Sequence, residues 1–238
     1  MRLSPLILLL AAPLRADGLA DLRAALQKLP ATQAVKAAAD CQSWSRSGKG
    51  KAAQTVQGRA QVRLEDGPAG LKLGWDKAEL ARIEAASQAK DNGPKQAMDE
   101  VSGEKAKDLL NAASALLDDL KDAQILGDQP DTWSGQPARL LTFSLQPKDM
   151  DEEGRKHLKA FSLTLKVWMG ADGAPLAASE QMDLKGSVFL IGFEAHYTEQ
   201  RVFSRVGDRL VAIHAEKEGA GSGAGEQGAQ KTVIDLKL

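Results

Sequence analysis

Gly223, Gly225 and Gly228, in the stretch GAGSGAGEQGAQ over residues 219–230, stand at the G-x-G-x-x-G spacing that lets a backbone approach a pyrophosphate. That chemistry needs a strand before the glycines, a helix N-terminus after them, and an acidic residue about 20 positions further on. The segment that follows, KTVIDLKL, alternates with the period of a strand. The spacing therefore predicts a mobile hairpin loop and no bound nucleotide. Other residue types that perform chemistry are equally dispersed. His157, His196 and His214 have no second His or Cys at i+2 or i+4, so no zinc site is expected. On a two-residue period His196 and His214 fall on the wet side of their strands. Cys41, the single cysteine, has no identifiable activating neighbour and reads as an inert thiol. The acid runs Asp149-Asp151-Glu152-Glu153 and Asp118-Asp119 lack the loop spacing of a calcium hand and read as solvated faces. No G-x-S-x-G elbow occurs, and Ser222 falls in the glycine loop. No catalytic constellation, metal or cofactor is expected, and the protein is not expected to be an enzyme.

The elements that would position any site begin after the N-terminus. MRLSPLILLLAAPLRA has a basic Arg2, an apolar run from Leu6 to Ala12, and Leu14 and Ala16 at the small-residue end. This layout predicts a secretory signal peptide over residues 1–16, too short for a membrane span, and hence an exported, periplasmic, soluble protein. No later apolar run is long enough to be a transmembrane segment. Removing Arg2 and Arg15 leaves 29 basic against 32 acidic side chains among residues 17–238. That balance excludes nucleic acid as an expected partner, because a phosphate backbone is gripped by concentrated positive charge. With one cysteine there is no internal disulfide, so an apolar core must hold the fold.

Leu19, Leu22, Leu26 and Leu29 repeat at helical spacing until Pro30, which predicts a helix over residues 18–29. The period then becomes two. In TVQGRAQVRLEDG, Val56, Gly58, Ala60, Val62 and Leu64 share one side, and after the turn Asp66-Gly67-Pro68 the alternation resumes at Leu71, Leu73 and Trp75. Residues 77–122 shift to Ala, Lys, Glu and Leu and predict two helices joined at Asp91-Asn92-Gly93-Pro94. The second carries Ala106, Leu109, Leu110, Ala113, Leu116, Leu117 and Leu120 as one apolar stripe, which requires an apolar surface to lie on. Beyond Gly127 the period of two returns through Phe143, Phe161-Leu163-Leu165-Val167, Phe189-Ile191-Phe193, a strand around Val202-Phe203, RLVAIHAEK and KTVIDLKL.

About ten strands with short connections define an α+β fold: a large curved antiparallel sheet or incomplete barrel, with an N-terminal helix and an inserted helical pair covering its concave apolar face. Residues 17–238 read as one such half-barrel domain. Only ten aromatics are present, while Gly58, Ala60, Ala177, Ala178, Gly192 and Ala195 place small residues on strands. Small residues on a concave face leave volume for a ligand, and the chemistry that fills apolar volume is an acyl chain. The expected lining is Leu71, Leu73, Trp75, Phe143, Phe161, Leu163, Leu165, Phe189, Ile191 and Phe193, with Leu109, Leu110, Leu116 and Leu117 from the helical lid. The alternative is a closed core that the leucine helix completes, in a scaffold that meets an envelope partner and binds no ligand.

Three patterns carry a resemblance: the N-terminal helix leading into sheet; Gly58-x-Ala60-x-Val62-x-Leu64 followed by Pro68-x-x-Leu71-x-Leu73-x-Trp75; and Leu163-x-Leu165 running through Trp168 to Asp172-Gly173-x-Pro175-Leu176. Together they resemble the periplasmic lipoprotein-carrier superfamily of LolA, LolB and their mycobacterial lipoprotein relatives. The resemblance spans nearly all of residues 17–238. It implies an unclosed barrel of about eleven antiparallel strands lidded by helices, and a partner that is a lipid or a lipidated protein. The chain departs from that pattern after Trp75, where a helical block of about 45 residues replaces further strands.

Overall fold

A computed structural model describes residues 17–146, 156–189 and 191–238, with the side chain of Lys51 excepted. The expected signal peptide and the acid run at Asp149–Glu153 lie outside the described residues. Helix α1 (Gly18–Gln27) starts at Asp17, whose carboxylate accepts from the Leu19 backbone N–H at 3.1 Å. Strands β1 (Val35–Ser47), β2 (Gln54–Asp66) and β3 (Lys72–Gly74) follow. Four helices come next: α2 (Lys77–Gln88), α3 (Gly93–Glu100), α4 (Gly103–Leu110) and α5 (Ala112–Asp119). Seven strands follow among the described residues: β4 (Gln124–Trp133), β5 (Gln136–Ser144), β6 (Leu158–Met169), β7 (Pro175–Val188), β8 (Ile191–Val206), β9 (Arg209–Gly223) and β10 (Glu226–Lys237).

The ten strands form one unclosed, curved sheet in the order β3-β2-β1-β10-β9-β8-β7-β6-β5-β4, with antiparallel neighbours throughout. The expected fold class is observed. Consecutive strands pair with each other, except that α2–α5 interrupt the chain between the two edge strands β3 and β4 and fold back onto one face. Strand β1 pairs with β10, so the first and last described strands meet mid-sheet.

Four local readings are corrected. The insertion holds four short helices rather than a pair, because Gly103 adopts a left-handed φ of 57° and Asn111, at φ −136° and ψ 56°, leaves the helical region between α4 and α5. The leucine stripe survives that break: Ala106, Leu109, Leu110, Ala113, Leu116 and Leu120 are all buried. The glycine stretch is two paired strands with a tight turn at Ala224 (φ 51°) and Gly225 (φ 83°), in place of a mobile loop. The segments around Ile191 and Phe203 are one continuous strand, β8. Strand β1 escapes sequence reading because Ala37-Ala38-Ala39 and the serines at 43, 45 and 47 give little contrast between its faces.

The core lies where the helices meet the sheet. One row of residues crosses it through register partners Val167, Ala178, Arg201, Ala215, Ile234, Cys41 and Ala60. Leu22 and Leu26 of α1 and Leu110 and Leu116 of the inserted helices pack down within the same cluster. Close approach is possible because two glycines face each other. A Cβ on Gly58 of β2 would fall 1.8 Å from the Gly93 carbonyl oxygen, so the start of α3 rests on bare β2 backbone. Helix α2 covers the exposed edge of β2: Glu79 accepts from the Gln61 backbone N–H at 3.0 Å, and Arg82 donates to the Arg59 carbonyl. At the other end of the core, Arg209, only 1% exposed, donates to Asp66 at 2.7 Å and to the Ala31 carbonyl at 2.7 Å. A buried guanidinium with that many acceptors fixes the loop after α1 against β2 and β9.

Candidate functional site

Successive side chains on a strand alternate faces, so each transverse row of the sheet presents one residue per strand to the helices. Moving from the core toward the β7–β8 hairpin, the next helix-facing row is Leu165, Glu180, Glu199, Lys217, Thr232, Ser43 and Gly58. Its middle is charged. Above it stand the charged groups of the cover, and between them lies a gap of about 340 Å³ lined by Glu100, Lys105, Asp108, Asp119, Glu199 and Arg201 among others. Arg201, 11% exposed, is 3.3 Å from Asp119 of α5 and 3.7 Å from Glu199. Burial disfavours its charge, but Glu199, Asp119 and Glu180 more than offset that and raise its pKa. Lys217 of β9 reaches Glu100 of α3 at 3.7 Å, and Lys105 donates to the same carboxylate at 2.6 Å. Ion pairs therefore clasp α3 and α5 to the sheet. The gap left beside the apolar core under these helices is lined mainly by charged groups.

Two further rows lie beyond this charged belt. The first runs Leu163, Met182, Tyr197, Gly219, Gln230 and Ser45; the second runs Phe161, Leu184, Ala195, Gly221, Gly228 and Ser47. On the β6–β8 side they are apolar, and on β9 they are glycine. Leu163, Met182, Tyr197, Phe161, Leu184 and Ala195 are all half-buried. A trough of about 520 Å³ opens here, lined by Met182, Ala195, Tyr197, Gly219 and Gly221 and closed on its far side by Ser45, Ser47 and Gln230. Its volume falls within the range of about 300–1,000 Å³ typical of small-molecule sites. The Tyr197 hydroxyl donates to Glu199 at 2.9 Å, which anchors the ring at the border with the belt. Burial first, and the Glu199 charge second, push its pKa above the ordinary phenolic value, so it stays neutral. At the hairpin end, Phe193 packs over Gly186: a Cβ there would lie 2.3 Å from the ring.

The fourteen residues expected to line a ligand site separate into three places. Leu109, Leu110, Leu116, Phe143 and Leu165 are buried in the core, and Leu71, Leu73, Trp75 and Leu117 are half-buried against it. Of this group Leu109 also borders the charged gap. Phe161, Leu163 and Phe193 belong to the trough rows and their hairpin end. Phe189 and Ile191 are at the β7–β8 tip, 94% and 54% exposed. Sequence reasoning missed Met182 and Leu184, whose strand lacks regular alternation, and the glycines 219 and 221, which it assigned to a loop. One signal was available for the belt: the apolar alternation of β8, Phe193-Ala195-Tyr197, is broken by Glu199 and Arg201 before Phe203 restores it.

The outer face carries His196 and His214. His196 Nδ1 is 2.7 Å from Asp183, and His214 Nδ1 is 2.7 Å from Asp235. Ser222 lines the same outer groove as His196 and Asp183. No hydrogen bond joins Ser222 to His196 among the described residues, and the same His–Asp geometry recurs at His214, so the pair reads as a cross-strand contact. Cys41 is fully buried; burial, with Glu100 next, pushes its thiol up to about 12, which keeps it protonated and unreactive. Among the described residues, no group of three or more His, Cys, Asp or Glu is placed to hold a metal ion, and no helix is long and apolar enough to cross a membrane.

Fold and site together define the class: an open antiparallel sheet, covered by helices over part of one face, with an apolar trough on the uncovered part. Neither a known protein family nor a curated protein matches the chain. Among solved structures, a crystal structure of MucB in complex with MucA(peri) aligns over 93% of this chain and 93% of that chain, at 10% identity and a TM-score of 0.15.

Proposed function

We propose that this chain is a non-catalytic, exported binding protein of the cell envelope that carries a lipid or acyl group in the trough of the uncovered half-sheet. The observation that carries the reading is the pair of rows Leu163-Met182-Tyr197-Gly219 and Phe161-Leu184-Ala195-Gly221. Half-buried apolar side chains stand there beside glycines that contribute no volume. An acyl chain laid over them removes apolar surface from water on both partners, at about 0.8 kcal/mol per methylene. The leader-like N-terminus and the resemblance to lipoprotein carriers support export and cargo class. The test is native mass spectrometry with solvent extraction of protein from an exporting host, paired with titration of a fluorescent fatty acid. The expected result is a co-purifying lipid and saturable binding that Ala195→Trp, which fills the trough without adding charge, abolishes. Absence of both lipid and binding rejects the proposal.

A second reading has its own observation. Strand β4 is an edge strand that leaves Ile125 and Leu126 exposed, at 41% and 63%. A protein partner adding a strand there would make the chain an envelope scaffold with a filled interior. Cross-linking from position 126 that recovers one defined partner, together with no lipid, favours this reading.

A further inference from the structure

The β7–β8 hairpin ends in an unusual way for a surface turn. The sequence Val188-Phe-Leu-Ile191 has no polar residue, and Val188, Phe189 and Ile191 are exposed, Phe189 almost completely. Turn positions with positive φ favour Gly, Asn or Asp, yet here Phe189 holds φ 54°. The backbone is thus in a disfavoured conformation and the largest side chain of the turn stands in water. Among the described residues, the exposure of Phe189 and Ile191 leaves both costs without a compensating burial.

The tip terminates the two strands that carry Met182, Leu184, Ala195 and Tyr197 of the trough, and Val188, Phe189 and Ile191 stand exposed on it. Phe193 lies between tip and trough, over Gly186. A protruding set of aromatic and aliphatic side chains needs no complementary pocket when its partner is fluid hydrocarbon, whereas a folded protein partner would need one. The nearest described charges on β7 and β8, Lys185 and Glu194, pair with each other at 3.4 Å, so the end of the hairpin between them brings no net charge of its own. We infer that the β7–β8 tip inserts into the interfacial region of a lipid bilayer and holds the open end of the trough against it. The contact stands on the tip's own geometry; its purpose, delivering or collecting an acyl chain, rests on the binding function proposed above.

Flotation of the full chain with phosphatidylcholine vesicles tests this. The chain is compared with the double variant Phe189→Asp/Ile191→Asp and with Ala195→Trp. All three share the same N-terminus, so differences between them belong to the substituted sites. The unsubstituted chain is expected to float with vesicles at low and at high salt, because the attraction is apolar. The tip variant is expected to lose binding by at least about tenfold while keeping its melting temperature, since both side chains are exposed. Ala195→Trp is expected to float normally yet to bind no fluorescent fatty acid. Failure of the unsubstituted chain to float, or equal flotation of the tip variant, overturns the membrane contact. Unchanged fatty-acid binding in Ala195→Trp would instead overturn the trough, leaving the tip result standing.

Discussion

The two halves of the helix-facing sheet surface are built from the same strands and differ in almost every other respect. Along β9, Leu210, Val211, Ala212 and Ala215 are apolar and buried, whereas Lys217, Gly219, Gly221 and Gly223 continue the face of Ala215 beyond the helices. Along β6, Leu165 is fully buried while Leu163, one step up the same face, is half-buried. The belt of Glu180, Glu199, Arg201 and Lys217 marks the change. Its ion pairs to Asp119 and Glu100 hold the helices on the covered side. The comparison teaches that an apolar strand face need not end where its cover ends. In one half the apolar face is satisfied by the protein; in the other it stays half-exposed.

The largest expected effect lies in the covered half. Arg209→Met leaves Asp66 buried without its cation and frees the Ala31 carbonyl, and should cost about 3–5 kcal/mol in chemical denaturation. A matched pair sharpens the contrast between halves. Leu165→Ala should destabilise by about 2–5 kcal/mol, with fatty-acid binding lost only as the fold is lost. Leu163→Ala should cost about 1 kcal/mol or less but weaken fatty-acid binding directly. Equal costs at the two positions would erase the distinction.

The glycines make the same point through sterics. Gly58→Ala must displace α3, because its Cβ would meet the Gly93 carbonyl oxygen at 1.8 Å, and should destabilise by about 1–3 kcal/mol. Gly219→Ala meets only the flexible Gln230 side chain, at 3.3 Å, and should leave stability unchanged. A smaller effect is expected at the β8–β9 turn. Asp208 accepts from the Thr32 hydroxyl and from the Thr32 and Gln33 backbone N–H groups, the last two at 2.8 and 3.1 Å, and these bonds, the hydroxyl first, hold its carboxyl below the usual carboxylate range. A carboxyl with a depressed folded pKa stabilises above its unfolded value and loses that contribution as pH falls through the folded one. The melting temperature should therefore drop on acidification below the ordinary carboxylate range, slightly less steeply in Asp208→Asn.

Much of this architecture is legible in the residues. Period-two alternation at Phe161-Leu163-Leu165 and at Val56 to Leu64 places strands and their inner faces, because a half-buried sheet requires that contrast. The leucine stripe from Ala106 to Leu120 identifies the cover correctly even though Asn111 breaks its axis, since burial depends on which face is apolar and not on helix continuity. What is hidden depends on register. Leu163, Tyr197 and Gly219 share a row only because β6, β7, β8 and β9 align as they do, and no local spacing encodes that. The charged belt is hidden for the same reason: Glu180, Glu199, Lys217 and Glu100 come from four separate elements. The glycines of β9 read as slack chain, yet bare backbone is what leaves the trough its depth.

The most direct test of the trough is to let a ligand mark it. A fatty acid bearing a photoactivatable diazirine, cross-linked to the purified protein and located by peptide mass mapping, should label residues 158–163, 182–184 and 193–197. Labelling confined to the helices of residues 103–120, or no saturable labelling anywhere, would contradict the assignment of the uncovered half-sheet as the binding surface.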